Sequence, residues 1–162
     1  TDYPLDPATL EHLDRSHRNA LTAIAHSLQA VQSLHLYPGA DKPALLAALA
    51  DAVHRDTRAL DTARPRVLAL PATPHAREYA ATHRYADTTT TVERARTRIQ
   101  DKRWTLPRGT LVIVDDADHL HPDHLCWLAD HAAATNTKLL LISTPDHRLP
   151  AHTLTTAADH LL

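Results

Sequence analysis

The chain has 162 residues, the size of one domain, with 43% hydrophobic and 22% charged residues. That is ordinary globular usage, so neither wholesale disorder nor membrane insertion is expected. The formal charge of −2 hides a division along the chain: residues 1–54 carry −3, residues 55–108 carry +6 and residues 109–162 carry −5. A basic middle third in an acidic chain is a candidate polyanion surface, set against the commoner solvated helix face. One cysteine, Cys126, allows no internal disulfide, and the first residues lack a secretory pattern, so a cytoplasmic protein with no membrane contact is expected. The sequence has no Met, which sets the expectation of a fragment or processed form.

In chain order, Asp6-Pro7 reads as a helix cap followed by proline at the first helical position. The apolar period runs on to about residue 30, with a break near Asp14–Ser16. Residues 1–32 are thus a helical lead-in to a single domain spanning 1–162. Ser33–Tyr37 alternates like a strand and is stopped by Pro38-Gly39, and a helix follows from Pro43 to about Leu60. Arg66–Leu70 is the next strand, closed by Pro71, then a helix from Pro74 to about Arg84. The threonines Thr88–Thr91 are read as caps for a helix from Val92 to about Arg103.

Thr110–Val114 is continuously apolar and β-branched, as a strand covered on both faces should be. A helix over Pro122–Ala134, a buried strand over Lys138–Ile142 and a last helix from Pro150 to His160 complete the reading. Strands alternating with helices predict an α/β fold of three layers around a mainly parallel sheet.

In such a sheet, ligand chemistry gathers just after the strands. Asp115 and Asp116 end the most apolar strand, the arrangement in which a first acid serves Mg²⁺ and a second orients water. The bland alternative is an acidic loop leading into the next helix. The histidine-rich turn His119, His121 and His124 is read as surface in a chain with fourteen His, and no metal site is assigned. The basic stretch Arg94, Arg96, Arg98, Lys102, Arg103, Trp104 and Arg108 joins guanidinium groups to an indole, a pairing suited to single-stranded nucleic acid. Its rival is an amphipathic helix with Trp104 plugging the core.

Several segments in order resemble superfamily 1 DNA helicases of the RecD type, above all the helicase part of conjugative relaxases of the TraA and TrwC kind. These are Leu13–Ala20, Leu34–Leu46 (LHLYPGADKPALL), Val67–Tyr79 (VLALPATPHAREY), Ala86–Thr88, Leu111–Leu120 (LVIVDDADHL) and Leu140–Pro150 (LLISTPDHRLP). The resemblance implies a RecA-like P-loop NTPase fold corresponding to the first motor lobe. It places His17 at an adenine-reading glutamine, and Gly39, Asp41, Lys42 and Pro43 in the phosphate loop. Asp115 and Asp116 fall in motif II, Arg148 in motif III, and Thr73 in a segment that contacts single-stranded DNA.

The departures matter as much. A phosphate loop G-x-x-x-x-G-K-[ST] needs glycines for close backbone approach, a lysine, and a hydroxyl for Mg²⁺. Its positions hold Leu36, Asp41, Lys42 and Pro43, so only the lysine remains, with Gly39 inside the loop. Asp41 puts a carboxylate where an anion would bind. Asp116 is one methylene short of the usual Glu, and Arg148 replaces the γ-phosphate-sensing Gln. The expectation is a degenerate lobe that is not an enzyme on its own, takes no cofactor, and works beside other domains of a larger parent chain by binding single-stranded DNA through Thr73, Arg94, Arg98, Arg103 and Trp104. The alternatives are a working lobe that uses ATP and Mg²⁺, and a protein-docking module.

Overall fold

A computed structural model describes residues 3–11, 13–36, 41–55, 66–143 and 159–161. The lead-in is two helices, α1 (Pro7–Glu11) and α2 (Arg15–His26). The break falls at Asp14, whose carboxylate accepts the His17 N–H and caps α2. There follow β1 (Val31–His35), α3 (Lys42–His54), β2 (Val67–Ala69), α4 (Pro74–His83), β3 (Thr88–Thr89) and α5 (Val92–Gln100). Then come β4 (Leu111–Asp115), α6 (Pro122–Thr135), β5 (Lys138–Ser143) and β6 (Asp159–Leu161).

The strands form one sheet in the order β3-β2-β4-β5-β1-β6, and every described pairing is parallel. Strand β5 lies between β1 and β4, so the ends of the two strands read as phosphate loop and acidic motif flank a common neighbour.

The period of two is visible in the core. Val67, Ala69, Leu111, Ile113, Leu140 and Ile142 face one apolar cluster, with Leu21 and Ile24 of α2 and Leu45 and Leu49 of α3. Their neighbours Leu68, Val112, Val114, Leu139 and Leu141 face the other, with Ala95 of α5 and Leu128 and Ala132 of α6. Helices therefore cover both faces, the three-layer α/β arrangement expected. No described helix is long and apolar enough to cross a membrane.

Four boundaries differ from the sequence reading. Strand β1 starts at Val31, inside the stretch assigned to the helical lead-in, because Gln32 and Ser33 are fully buried polar residues that hide a central strand from a hydropathy pattern. The threonine run divides: Thr88 and Thr89 pair with Leu68 and Ala69 as β3, while Thr91 alone caps α5 by accepting the Arg94 N–H. Helix α5 stops at Gln100, where the backbone turns through Lys102 at φ 60° and the N–H groups of Arg103 and Trp104 both reach Arg98 O. At the C-terminal end the predicted helix Pro150–His160 is not helical at Asp159 and His160. These residues form β6, because the outer edge of β1 at Ser33–His35 offers them a parallel ladder. The remainder of that helix, and residues 56–60 of the predicted Pro43–Leu60 helix, lie outside the described residues.

Candidate functional site

The carboxyl ends of β1, β4 and β2 meet in one polar cluster. Lys42, the first residue of α3, extends its Nζ to Asp115 Oδ2 at 2.6 Å, and the same ammonium sits 4.1 Å from the centroid of the Tyr79 ring on α4. Asp115 ends β4, with a side chain only 3% exposed. Its second oxygen, Oδ1, accepts the Asp116 N–H at 3.0 Å. Burial pushes the Asp115 carboxyl above its ordinary value, and the Lys42 charge works against that rise. Asp116 adopts a left-handed backbone, φ 55°, which turns its carboxylate towards α4 to accept Thr73 Oγ1–H at 2.5 Å. Thr73 in turn accepts the Ala76 N–H and caps α4.

The start of α3 is closed in the same way. The Asp41 carboxylate accepts the Ala44 N–H at 3.3 Å and the Asp41 carbonyl accepts the Leu45 N–H at 3.2 Å. Pro43 has no N–H to give. The Asp41 N–H itself is donated to His17 Nε2 at 3.0 Å. With Nε2 accepting, the imidazole proton belongs on Nδ1, which faces Asp14 Oδ1 at 2.6 Å. The His17 N–H and ring hold the Asp14 carboxyl below its ordinary value. His17 is buried, and both its ring nitrogens are committed to the protein.

Two groups came to light only in the structure. Tyr79 lies within the predicted Pro74–Arg84 helix with no role assigned to it, yet its ring is the cation-binding wall for Lys42. Burial, with Asp115 and Asp41 nearby, pushes its phenol up to about 12. Tyr85 lies behind it, ring to ring at 6.3 Å, and the hydroxyls of both tyrosines have no hydrogen-bond partner among the described residues. Nothing in the spacing of either tyrosine marks it, because their roles depend on α3 and β4 arriving from elsewhere in the chain.

A P-loop nucleotide site needs free N–H groups at the helix start, an available lysine, a hydroxyl for Mg²⁺ and open carboxylates. Here the Ala44 donor is used by the Asp41 carboxylate, Lys42 is held by Asp115 and Tyr79, and Pro43 carries neither an N–H nor a hydroxyl. Both Asp115 oxygens and one Asp116 oxygen are already engaged. Among the described residues these groups are thus engaged with one another. Gly39 and Arg148 lie outside the described residues.

The residues assigned to DNA fall into two groups at opposite ends of the sheet. Thr73 and Arg94 stand at the carboxyl end of the sheet. Arg94 there lines a surface pocket of about 240 Å³ with Pro71, Arg77 and Thr89, Thr90 and Thr91. Arg98 lies over the Trp104 ring at 5.2 Å, and Trp104 lines a different pocket with Arg66 and Thr110, which precede β2 and β4 at the amino end. Arg103 is exposed beside Trp104 in the turn that ends α5. Trp104 also packs against the second core cluster, as expected of a core plug.

The histidine-rich turn pairs His119 with Asp118 and His121 with Asp123 locally, while His124 reaches across to Glu93 of α5. Among the described residues no three His, Cys, Asp or Glu side chains form a group that could hold a metal ion.

Comparison with known proteins agrees with the topology. No curated protein matches the chain significantly. Residues 12–148 match the family model of the AAA domain, a P-loop NTPase family whose members include RecD-like helicases. That stretch contains the first five strands with both ends of the polar cluster, so the RecA-like P-loop fold extends over most of the sequence. The chain belongs to the AAA-domain family of P-loop NTPases.

Proposed function

We propose that the chain is a helicase-type lobe of a DNA-transfer or DNA-processing protein, of the kind found in conjugative relaxases, that has given up nucleotide hydrolysis and works by binding single-stranded DNA beside other domains of its parent. One observation carries the loss of hydrolysis. The phosphate position is filled from within, by the Asp41 carboxylate on α3 and by the Asp115–Lys42–Tyr79 contact. An entering triphosphate would have to displace a carboxylate from a helix start and pull Lys42 off a buried partner. Both changes cost energy before any phosphate contact forms.

Single-stranded DNA is supported by the pocket at the carboxyl ends of β2 and β3. Arg77 and Arg94 are exposed there and three threonines line it, among them Thr91, which caps the start of α5 by accepting the Arg94 N–H. Guanidinium groups beside hydroxyls suit a phosphodiester backbone, which needs donors and positive charge but no base-specific geometry.

The test is anisotropy of a labelled oligothymidylate across a salt series, with phosphate release measured on the same samples. Binding that weakens as salt rises is expected, together with phosphate release at the buffer rate. Arg77→Ala with Arg94→Ala should weaken binding and lower the salt slope by about 0.7 for each phosphate no longer neutralised. Multiple-turnover ATP hydrolysis would overturn the loss of catalysis. Absence of any oligonucleotide binding would leave the protein-docking alternative.

A further inference from the structure

The second pocket has no part in the polar cluster and lies at the other end of the sheet. It measures about 240 Å³ and is lined by Arg66, Thr88, Trp104, Leu106, Pro107 and Thr110, with Val67, Leu68 and Thr105 completing it. Pockets for drug-sized ligands start at about 300 Å³, so this one suits a flat fragment the size of one base. Trp104 is half-buried and forms a wall of the pocket while Arg98 lies over its ring.

Arg66 belongs to this lining, Arg103 and Arg108 directly adjoin the lining residues Trp104 and Pro107 in sequence, and Lys102 precedes Arg103; all four are exposed. Two carboxylates are near this collar. Asp101 is exposed on the turn after α5. Asp87 feels the Arg66 charge but is bonded to His54 Nε2 at 2.7 Å and to the Val67 N–H at 2.8 Å. The balance is strongly positive around a wall that is aromatic and hydroxyl-lined. An acidic peptide would satisfy the charge alone. A base on a phosphate chain satisfies the charge, the indole and the hydroxyls together.

We infer that the Trp104 pocket is a second DNA subsite, in which one unstacked base of a single strand rests against the indole while Arg66, Arg103 and Arg108 hold its flanking phosphates. The inference rests on the DNA-binding reading above but not on the pocket of Arg77 and Arg94. It gives the lobe a contact at the amino end of the sheet, so a strand bound at the carboxyl end would be held at two separate places or a second strand segment would be captured.

The chain has two tryptophans, so Trp127→Phe leaves Trp104 as the sole indole. In that background oligothymidylate should quench Trp104 emission saturably, with the midpoint that anisotropy gives. An abasic oligomer of equal length should bind without the quench. Trp104→Leu, which keeps apolar packing, should weaken binding by about 5- to 150-fold, and Trp104→Tyr should recover part of it. Arg66→Ala with Arg103→Ala tests the collar without touching the core and should lower the salt slope by about 0.7 per phosphate.

Should anisotropy report binding while Trp104 emission stays unchanged and the collar variants behave as the parent, the subsite is wrong and the broader DNA reading survives. No binding of any oligomer removes both. Quenching by an acidic peptide with a leucine anchor, and not by DNA, would make the pocket a protein-docking site and overturn the inference.

Discussion

Lys42 stands where the resemblance puts the phosphate-loop lysine, and its contacts with Asp115 and Tyr79 give it a structural task that Lys42→Met exposes. The substitution keeps the stem and removes the charge, so the Asp115 carboxylate, 3% exposed, loses the ammonium 2.6 Å away. Removing one partner of a buried pair costs about 3–5 kcal/mol. The Lys42 side chain is itself 19% exposed, which places the expected loss near the lower end, about 3 kcal/mol. For a chain of this size that is a fall in Tm of about 6–12 °C.

The sign of the pH dependence follows from Asp115. Its folded pKa is raised above the ordinary 3.8, chiefly by burial, so the folded state binds protons more readily than the unfolded state. Its ionisation therefore costs stability as pH rises through the folded value. Without Lys42 the folded value rises further, so the loss should be full at neutral pH and shrink as pH falls towards about 4. Lys42→Met combined with Asp115→Asn should recover most of the loss, since a neutral pair needs no buried counter-charge. Urea unfolding of the parent, Lys42→Met and the double variant at two pH values measures all of this. A Lys42→Met variant as stable as the parent, or a loss that does not change with pH, would refute the structural role.

Two other polar anchors can be probed in the same way. Thr73→Val removes both the hydroxyl that Asp116 accepts from and the cap of α4, and should cost about 1–2 kcal/mol in chemical denaturation. Lys138 is fully buried, donating from Nζ to Ile24 O at 2.5 Å and Ser27 O at 3.0 Å and lying 4.9 Å from the Tyr3 ring centroid. Lys138→Met should cost about 1–3 kcal/mol and speed amide exchange at Tyr3, whose N–H is bonded to Ala25 O, well before exchange in β4 changes.

The sheet was legible in sequence where hydrophobic periodicity is strong. Leu111–Val114 and Leu139–Ile142 are central strands with helices on both faces, and nothing polar interrupts them. It was least legible where polar residues are buried or where a partner strand decides the conformation, as at Gln32 and Ser33 in β1 and at Asp159–Leu161 in β6. Asp41 marks how much of the site a motif reveals. The resemblance puts its carboxylate where an anion would bind, and in the structure that carboxylate accepts the Ala44 N–H at the start of α3. The involvement of Tyr79, and the imidazole of His17 that receives the Asp41 N–H, required the packing of α2 and α4 around α3. The basic stretch of the middle third reads as one surface in sequence. Helix α5 runs between the two ends of the sheet, so Arg94 and Trp104 end up in separate pockets.

Isothermal titration calorimetry of ATP with Mg²⁺ into the parent chain and into Asp41→Gly with Pro43→Thr tests the self-filled phosphate position most directly. The double variant removes the capping carboxylate and restores an N–H and a hydroxyl to the first turn of α3, with Lys42 in place. The parent should show no measurable binding, and the variant should recover affinity while still releasing no phosphate. Micromolar affinity of the parent for ATP would show that the phosphate position is open after all.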